Sequence, residues 1–341
     1  MGERKRLSGS HNVSVARGRK EMASASVAAL ANVLSESVLK KQELSGLDKD
    51  FVIRAVRKYL EKNPRMYERV AAAALSAKGS GGEGESRVSN DVLRDSSFVR
   101  NASVRRVQKE VRAFLRDIYG AFWLPSWKKR ERLLENVLKH PGIEEHRALL
   151  RLHRSTNERV LFYERLYADL FAVTGKPKKI LDLGSGHNVF SYPFLGCAPT
   201  YHVHVLSRRD AEFVKRYLRG RGIAGDVFFG DLTKGVPEVE VDVVFLFKLL
   251  DVLETQKRGC SVVLLEALLS RSSWVVVSFS TESLSGKAQI PLERRRWFLR
   301  WLEKKESAQV VIPNEAFYLV KGERKTSLQS KTAPFPSRKK Q

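Results

Sequence analysis

Lys179-Ile180-Leu181-Asp182-Leu183-Gly184-Ser185-Gly186 is the stretch that most narrows what this chain can become. A short apolar run stops at an acid and two closely spaced glycines. A buried parallel strand ends in this way, in a loop whose backbone can approach a ligand and turn sharply into a helix. From about Lys176 onward the hydrophobic pattern continues in the same style. Tyr201–Leu206, Val227–Phe229, Val241–Phe247 and Trp274–Phe279 predict further strands, and Gln309–Ile312 with Ala316–Val320 predict a terminal hairpin. Ala211–Leu218, Cys260–Leu269 and Arg294–Glu303 carry helical periodicity between them. Strands alternating with helices predict a doubly wound α/β sheet, which binds ligands beyond the carboxyl ends of its strands.

The first half of the chain has a different period. Val27, Leu30, Val33 and Leu34, then Phe51, Val52, Ala55, Val56 and Tyr59, recur at three- and four-residue spacing and predict helices. Pro64 opens another, and Gly79–Gly84 forms a break that is either a linker or a loop within a helical domain. Val104, Val107, Val111, Phe114, Leu115 and Ile118 form one apolar stripe, off which lie Arg105, Arg106, Lys109, Arg112 and Arg116. Trp123, Trp127, Lys128, Lys129, Arg130 and Arg132 follow. A one-signed face beside aromatic residues suits RNA contact, although a charged helix face is also simply a solvated one. The expected organisation is a basic tail over 1–22, a helical docking domain over 23–150, an α/β catalytic domain over 151–321 and a second basic tail over 322–341.

Charge supports a polyanionic partner. The 62 lysines and arginines outnumber 38 acids for a net charge of +24, and each phosphate contact gains from counterion release. Two cysteines build neither a disulfide framework nor a zinc site. His202 and His204 share a strand face without a third ligand, so no metal is expected. No apolar run approaches the roughly 18 residues of a membrane span, and the basic N-terminus lacks the apolar core of a signal peptide. A cytoplasmic protein is expected.

The glycine loop has two readings. A nucleotide-binding dehydrogenase needs a third glycine where this chain has Val189, whereas Asp182 and Asn188 favour the loop of an S-adenosylmethionine-dependent methyltransferase. Asp231-Leu232 follows the third predicted strand, where a carboxylate can accept from an adenine amino group, but it serves equally as a turn or helix-cap residue. Lys248 ends the strongest apolar strand and is expected to point into the crevice. Ser278 through Lys287 leaves another strand end as a polar loop suited to holding an acceptor base, with an ordinary surface loop as the alternative. Ser155 or Thr156 is a candidate helix cap, and Glu158 or Arg159 a candidate for local pairing.

Taken in order, His153-x-Ser155-Thr156-x-Glu158-Arg159, Leu181-Asp182-Leu183-Gly184-x-Gly186-x-Asn188, Lys248 with Leu253-Glu254-x-Gln256-x-x-Gly259, Val277-Ser278-Phe279 with Ser283-Leu284-x-Gly286, and Asn314-Glu315 form a recognisable set. They resemble the aminoglycoside-resistance methyltransferases that modify N7 of a guanine in the decoding region of small-subunit ribosomal RNA. Leu115 to Phe122 is similar to that family's helical N-terminal module, and the resemblance spans roughly 25 to 320. It implies a Rossmann-like S-adenosylmethionine-dependent methyltransferase fold with a helical N-terminal domain. The implied donor site contains Asp182, Gly184, Gly186, Asn188, Asp231, Leu232, Phe247 and Gln256, with Thr156 and Arg159 beside it. Lys248, Ser278 and Ser283 are the residues expected to position the acceptor. The implied substrate is 16S rRNA within the 30S subunit, met by a monomer, with antibiotic resistance as the consequence the family suggests and a housekeeping modification as the alternative.

The chain departs from the family pattern at Ser185, where cysteine is usual, and at Val189, where proline is usual. Val205 stands where an acid normally holds the cofactor ribose, and Glu282 where a basic residue is common. A lost bidentate hydrogen bond costs about 1–3 kcal/mol, so Ser207 and Asp210 are candidates to compensate. A fold-retaining ribosome-binding or assembly protein without turnover is the reading from outside enzymology.

Overall fold

The computed structural model describes residues 27–77, 95–283 and 288–324. The predicted N-terminal tail over 1–22, the glycine-rich break over 79–84 and positions 325–341 of the predicted C-terminal tail lie outside the described residues. Contacts divide the chain into two compact units, Met1–Gly120 and Ala121–Gln341.

The first unit is helical. Helix α1 covers 27–39; α2 (Lys49–Lys62), α3 (Pro64–Ala77), α4 (Ser96–Arg100) and α5 (Ala102–Ile118) follow. Asp48 caps α2 by accepting from the Phe51 amide at 2.8 Å, and Asn101 caps α5 by accepting from the Ser103 and Val104 amides. The apolar stripe of α5 is buried as the spacing predicts, through Val104, Val107, Val111, Leu115 and Ile118. Arg105, Arg106, Lys109 and Arg116 are exposed, so the basic face is real. Arg112 departs from it: its guanidinium donates to the Ser37 carbonyl at 2.5 Å, satisfying a carbonyl in the last turn of α1.

The second unit holds the α/β layer. Its elements run α6 (Arg130–Lys139), α7 (Ile143–Leu150), α8 (Arg154–Arg159), α9 (Tyr163–Thr174), β1 (Lys179–Leu183), β2 (Thr200–Val205), α10 (Arg208–Gly220), β3 (Val227–Phe229), β4 (Val241–Phe247), α11 (Leu250–Gln256), α12 (Cys260–Leu269), β5 (Ser272–Ser280), α13 (Arg296–Leu302), β6 (Ser307–Ile312) and β7 (Glu315–Lys321). Helices α6 and α7 pack in this unit, α7 against the 3-10 turn that follows β1 and α6 against α10.

The sheet order is β3-β2-β1-β4-β5-β7-β6. Strands β1 to β5 pair in parallel, and β7 lies antiparallel between β5 and β6. Both faces are covered, which is why the central strands read as unbroken apolar runs. Ile180, Val243, Phe245, Phe247 and Val276 pack on one face with α9 and α10. Leu181, Leu183, Val244, Leu246, Val275 and Val277 pack on the other with α11, α12 and α13. Strand order reverses between β1 and β4, so a crevice opens at their carboxyl ends.

Candidate functional site

The loop after β1 enters that crevice. Gly184 (φ +62°) and Gly186 (φ +56°) both adopt left-handed backbone, open to glycine at no steric cost. A Cβ on Gly184 would sit 2.7 Å from Leu249 Cδ1, and one on Gly186 would sit 3.1 Å from His153 Nε2. The Ser185 amide donates to the His204 carbonyl at 3.1 Å, tying the loop to β2. Beyond it the chain forms a 3-10 turn, Asn188–Phe194, rather than the predicted helix, and Pro193 lies within it; proline lacks the amide a continuing helix requires.

Asp182 and Asn188 lie beneath this loop. Asp182 is buried, and its carboxylate accepts from Asn188 Nδ2 at 3.0 Å and the Tyr201 hydroxyl at 2.8 Å. Burial pushes its carboxyl up to about 6, against these two hydrogen bonds, which favour the charged form. Asn188 Oδ1 accepts from Arg159 Nη1 at 3.1 Å and from the Tyr163 hydroxyl at 2.9 Å.

Arg159 is the hub of the network at 1% exposure. Its Nε donates to Glu315 Oε2 at 2.8 Å, and its guanidinium lies 5.0 Å over the Phe247 ring. Burial disfavours its charge, yet Glu315 outweighs that and holds the guanidinium more firmly protonated than usual. Arg159 does pair locally, donating from Nη1 to the Tyr163 hydroxyl at 3.4 Å, but its ionic partner Glu315 and the Lys248 partner of Glu158 are 156 and 90 residues away in the chain.

Lys248 directly follows β4 with φ +54°, left-handed backbone in a residue with a side chain. Such a conformation costs on the order of 1–3 kcal/mol and persists only where surroundings over-determine it. Here they do. The Lys248 amide donates to both the carbonyl and the hydroxyl oxygen of Ser278, at 3.2 and 3.0 Å. Its ammonium pairs with Glu158 at 2.5 Å and Glu315 at 3.3 Å.

A cavity of about 180 Å³ opens beside Lys248, lined also by Glu158, Arg154, Glu282, Ser283 and Phe122. The structure therefore brings Lys248 and Ser283 to one pocket. Ser278 does not line it. Ser278 is fully buried within β5, paired to Phe247 on one side and Phe317 on the other, and its hydroxyl donates to Glu315. The polar loop accordingly starts after Ser280, and positions 284–287 lie outside the described residues.

The remaining donor-side residues divide. Asp231 and Leu232 follow β3, and Asp231 Oδ1 accepts from the Thr233 amide and hydroxyl at 2.8 and 2.7 Å. Gln256 ends α11. Phe247 packs in the core, 4.7 Å from the Phe245 ring. Thr156 is buried inside α8, where His153 occupies the cap position; its hydroxyl donates to the Leu150 and His153 carbonyls. At the end of β2, Val205 is buried. Ser207 caps α10 by accepting from the Asp210 amide, and Asp210 pairs with the buried Arg130 at 3.2 Å, so both candidate substitutes for a ribose acid have other work.

Sequence reasoning assigned no role to Glu315 or to the aromatic and histidine packing behind the loop. His187 lies 4.8 Å from Trp123 and 5.0 Å from Phe190, and burial pushes its pKa down to about 3. His153 is also held well below its ordinary value, by burial first and then by His187, Arg159 and Lys248. Among the described residues no cluster of histidine, cysteine and acidic groups could hold a metal.

These residues fit an amino-acid-bearing nucleoside cofactor. The glycine cradle admits close backbone approach, and Arg159 keeps one buried guanidinium nitrogen, Nη2, without a hydrogen-bond partner, the chemistry that meets a carboxylate.

Known proteins place this architecture. A model of the ribosomal RNA methyltransferase (FmrO) family matches residues 55–296. A 16S rRNA (guanine(1405)-N(7))-methyltransferase of Proteus mirabilis is 29% identical over 202 residues, covering 54% of this chain and 71% of its own. A namesake from Micromonospora rosea is 30% identical over 191 residues, covering 53% and 69%. In fold, the chain resembles the 16S rRNA methyltransferase RmtF, solved with S-adenosyl-L-homocysteine, with a TM-score of 0.62 at 22% identity over 86% of this chain and 98% of that one. The 16S rRNA methylase RmtB gives a TM-score of 0.59 at 20% identity, over 86% and 98%. The family model spans well over half of the sequence, and the chain belongs to the ribosomal RNA methyltransferase (FmrO) family.

Proposed function

We propose that this protein transfers a methyl group from S-adenosylmethionine to N7 of a guanine in the decoding region of 16S rRNA, with aminoglycoside resistance as the outcome. The observation that carries the donor half is the buried Asp182–Asn188–Arg159 chain under the Gly184–Gly186 loop at the sheet's reversal point. The acceptor half rests on the cavity beside Lys248 and on relatives that carry this activity in their names. The cofactor brings the methyl group already activated on a sulfonium.

Guanine N7 has its own lone pair, so no residue needs to remove a proton before attack. The protein's task is alignment and exclusion of water. His153 and His187, held neutral by burial, suit a site that does no acid–base work. In this reading Arg159 takes the cofactor carboxylate, supported by its unpartnered Nη2, Asp231 accepts from the adenine amino group, and Lys248 meets the guanine. Thr156, Phe247 and Ser278 support these groups from within the core.

The assembled 30S subunit is the proposed substrate, met by a monomer in the cytoplasm without a metal. The basic face of α5 supports a docking role for the helical front, 23–150 in the sequence. The modified base is reached in an irregular region of the RNA. Incubation with labelled cofactor and purified 30S subunits, followed by mapping of the modified nucleotide, tests this. One N7-methylguanine in the decoding region is expected; label elsewhere, or none on RNA, overturns it.

A further inference from the structure

Glu315 stands at the head of β7, on the strand that runs antiparallel to its neighbours, and is 1% exposed. Both of its oxygens are engaged. Oε1 accepts from the Ser278 hydroxyl. Oε2 accepts from Arg159 Nε at 2.8 Å and lies 3.3 Å from Lys248 Nζ.

Each engagement leads to a different half of the site. Through Arg159 the chain of hydrogen bonds continues to Asn188 and on to Asp182, beneath the glycine loop. Through Ser278, whose hydroxyl accepts from the Lys248 amide at 3.0 Å, it reaches the residue held with positive φ at the cavity wall. Lys248 is held twice, by its backbone through Ser278 and by its ammonium between Glu315 and Glu158. A buried carboxylate shared by two cations and a hydroxyl has little freedom to move without breaking several bonds together.

We propose that Glu315 is a positioning residue that keeps the cofactor loop and Lys248 in one fixed register, so that methyl delivery depends on a side chain that touches neither the cofactor nor the guanine. This rests on the methyl-transfer reading above. The coupling is mechanical, through a single network with two ends, and it requires no proton transfer.

The test compares Ser278→Ala, Glu315→Gln and the double variant by three readouts: cofactor Kd by calorimetry, single-turnover methyl transfer to 30S at saturating cofactor, and thermal midpoint. Ser278→Ala cuts only the arm to Lys248, so the rate falls about tenfold while Kd stays within about twofold. Glu315→Gln cuts both arms; Kd weakens about tenfold and the saturated rate falls about a hundredfold. The double variant falls no further than Glu315→Gln, because both changes act on one network. Wild-type rates in the variants, or additive losses in the double variant, overturn the proposal.

If Glu315→Gln does not fold, the separation of rate from Kd in Ser278→Ala decides the matter. If the unaltered protein transfers no methyl to 30S, the functional reading fails instead. The link then remains readable in the amide resonance of Lys248, which shifts on cofactor binding in the unaltered protein and not in Ser278→Ala. A shift that persists in that variant contradicts the coupling.

Discussion

The two sides of the crevice are built differently. The donor side rests on a dry floor in which Asp182, Asn188, Tyr163, Tyr201 and Arg159 hydrogen-bond to one another at full burial, leaving Arg159 Nη2 and Asp182 Oδ1 unpartnered. The acceptor side is a half-open cavity, and its charged Lys248 and Glu158 reach solvent at 10% and 32% side-chain exposure. A dry network fixes geometry because breaking one bond leaves buried groups unpaired. An open, charged wall can exchange protein partners for those of an RNA base. The donor floor is therefore expected to fail abruptly, with folding and cofactor binding lost together, and the acceptor wall to fail in rate alone.

The largest predicted effect follows from the hub. Arg159→Ala leaves Glu315 buried beside Lys248 alone, so stability falls by about 3–5 kcal/mol and cofactor binding is lost, checked by chemical unfolding and calorimetry. A variant that binds normally would show that the floor is not a unit.

Acid comes next. Burial holds His187 at about 3 and His204 at about 4, against an ordinary 6.5. Between those values the unfolded chain binds more protons than the folded one, so this stability is present above pH 6.5 and lost as pH falls. Asp182 acts in the other direction: its value of about 6 exceeds the ordinary 3.8, so lowering the pH through 6 relieves its burial. His153 is depressed in the same direction, so the buried histidines outweigh the one carboxylate and leave a net loss. Each tenfold change in a group's proton affinity on folding is worth roughly 1.4 kcal/mol, so unfolding curves at pH 7 and pH 4.5 should differ by several kcal/mol. Equal curves would mean that the histidine cluster is not buried in solution.

Lys248→Met addresses the acceptor wall. It is expected to lower the methyl-transfer rate on 30S about tenfold or more while leaving cofactor Kd within about twofold, as measured by single turnover and calorimetry. Loss of both would erase the distinction between the two sides. The smallest effect is a gain: Val205→Asp puts a carboxylate at the end of β2 and should tighten cofactor binding about tenfold, or about 1.4 kcal/mol. An unchanged Kd would mean that the ribose is held elsewhere.

The parts legible in the sequence are those written in local periodicity. Val241–Phe247 and Cys260–Leu269 are read at their observed bounds, because a strand covered on both faces and a helix with a single charged position each leave an unmistakable pattern. Gly184 and Gly186 are legible because their backbone needs glycine. Lys248 stands out as a charge at the end of an apolar run. Glu315 carries the same signal at the head of β7, yet its role depends on Arg159, 156 residues earlier, and on the antiparallel insertion of that strand. Ser278 is misplaced by sequence for a similar reason. Serine reads as loop, whereas two flanking strands and a buried carboxylate hold it inside the sheet.

The central claim is that the Gly184–Gly186 loop and the network beneath it form a working donor site despite Val205. Calorimetric titration of the full chain with S-adenosylmethionine at neutral pH tests that most directly. One cofactor per chain with a Kd below about 1 mM, an affinity worth about 4 kcal/mol or more, is the predicted result, and absence of measurable binding at millimolar cofactor would contradict it.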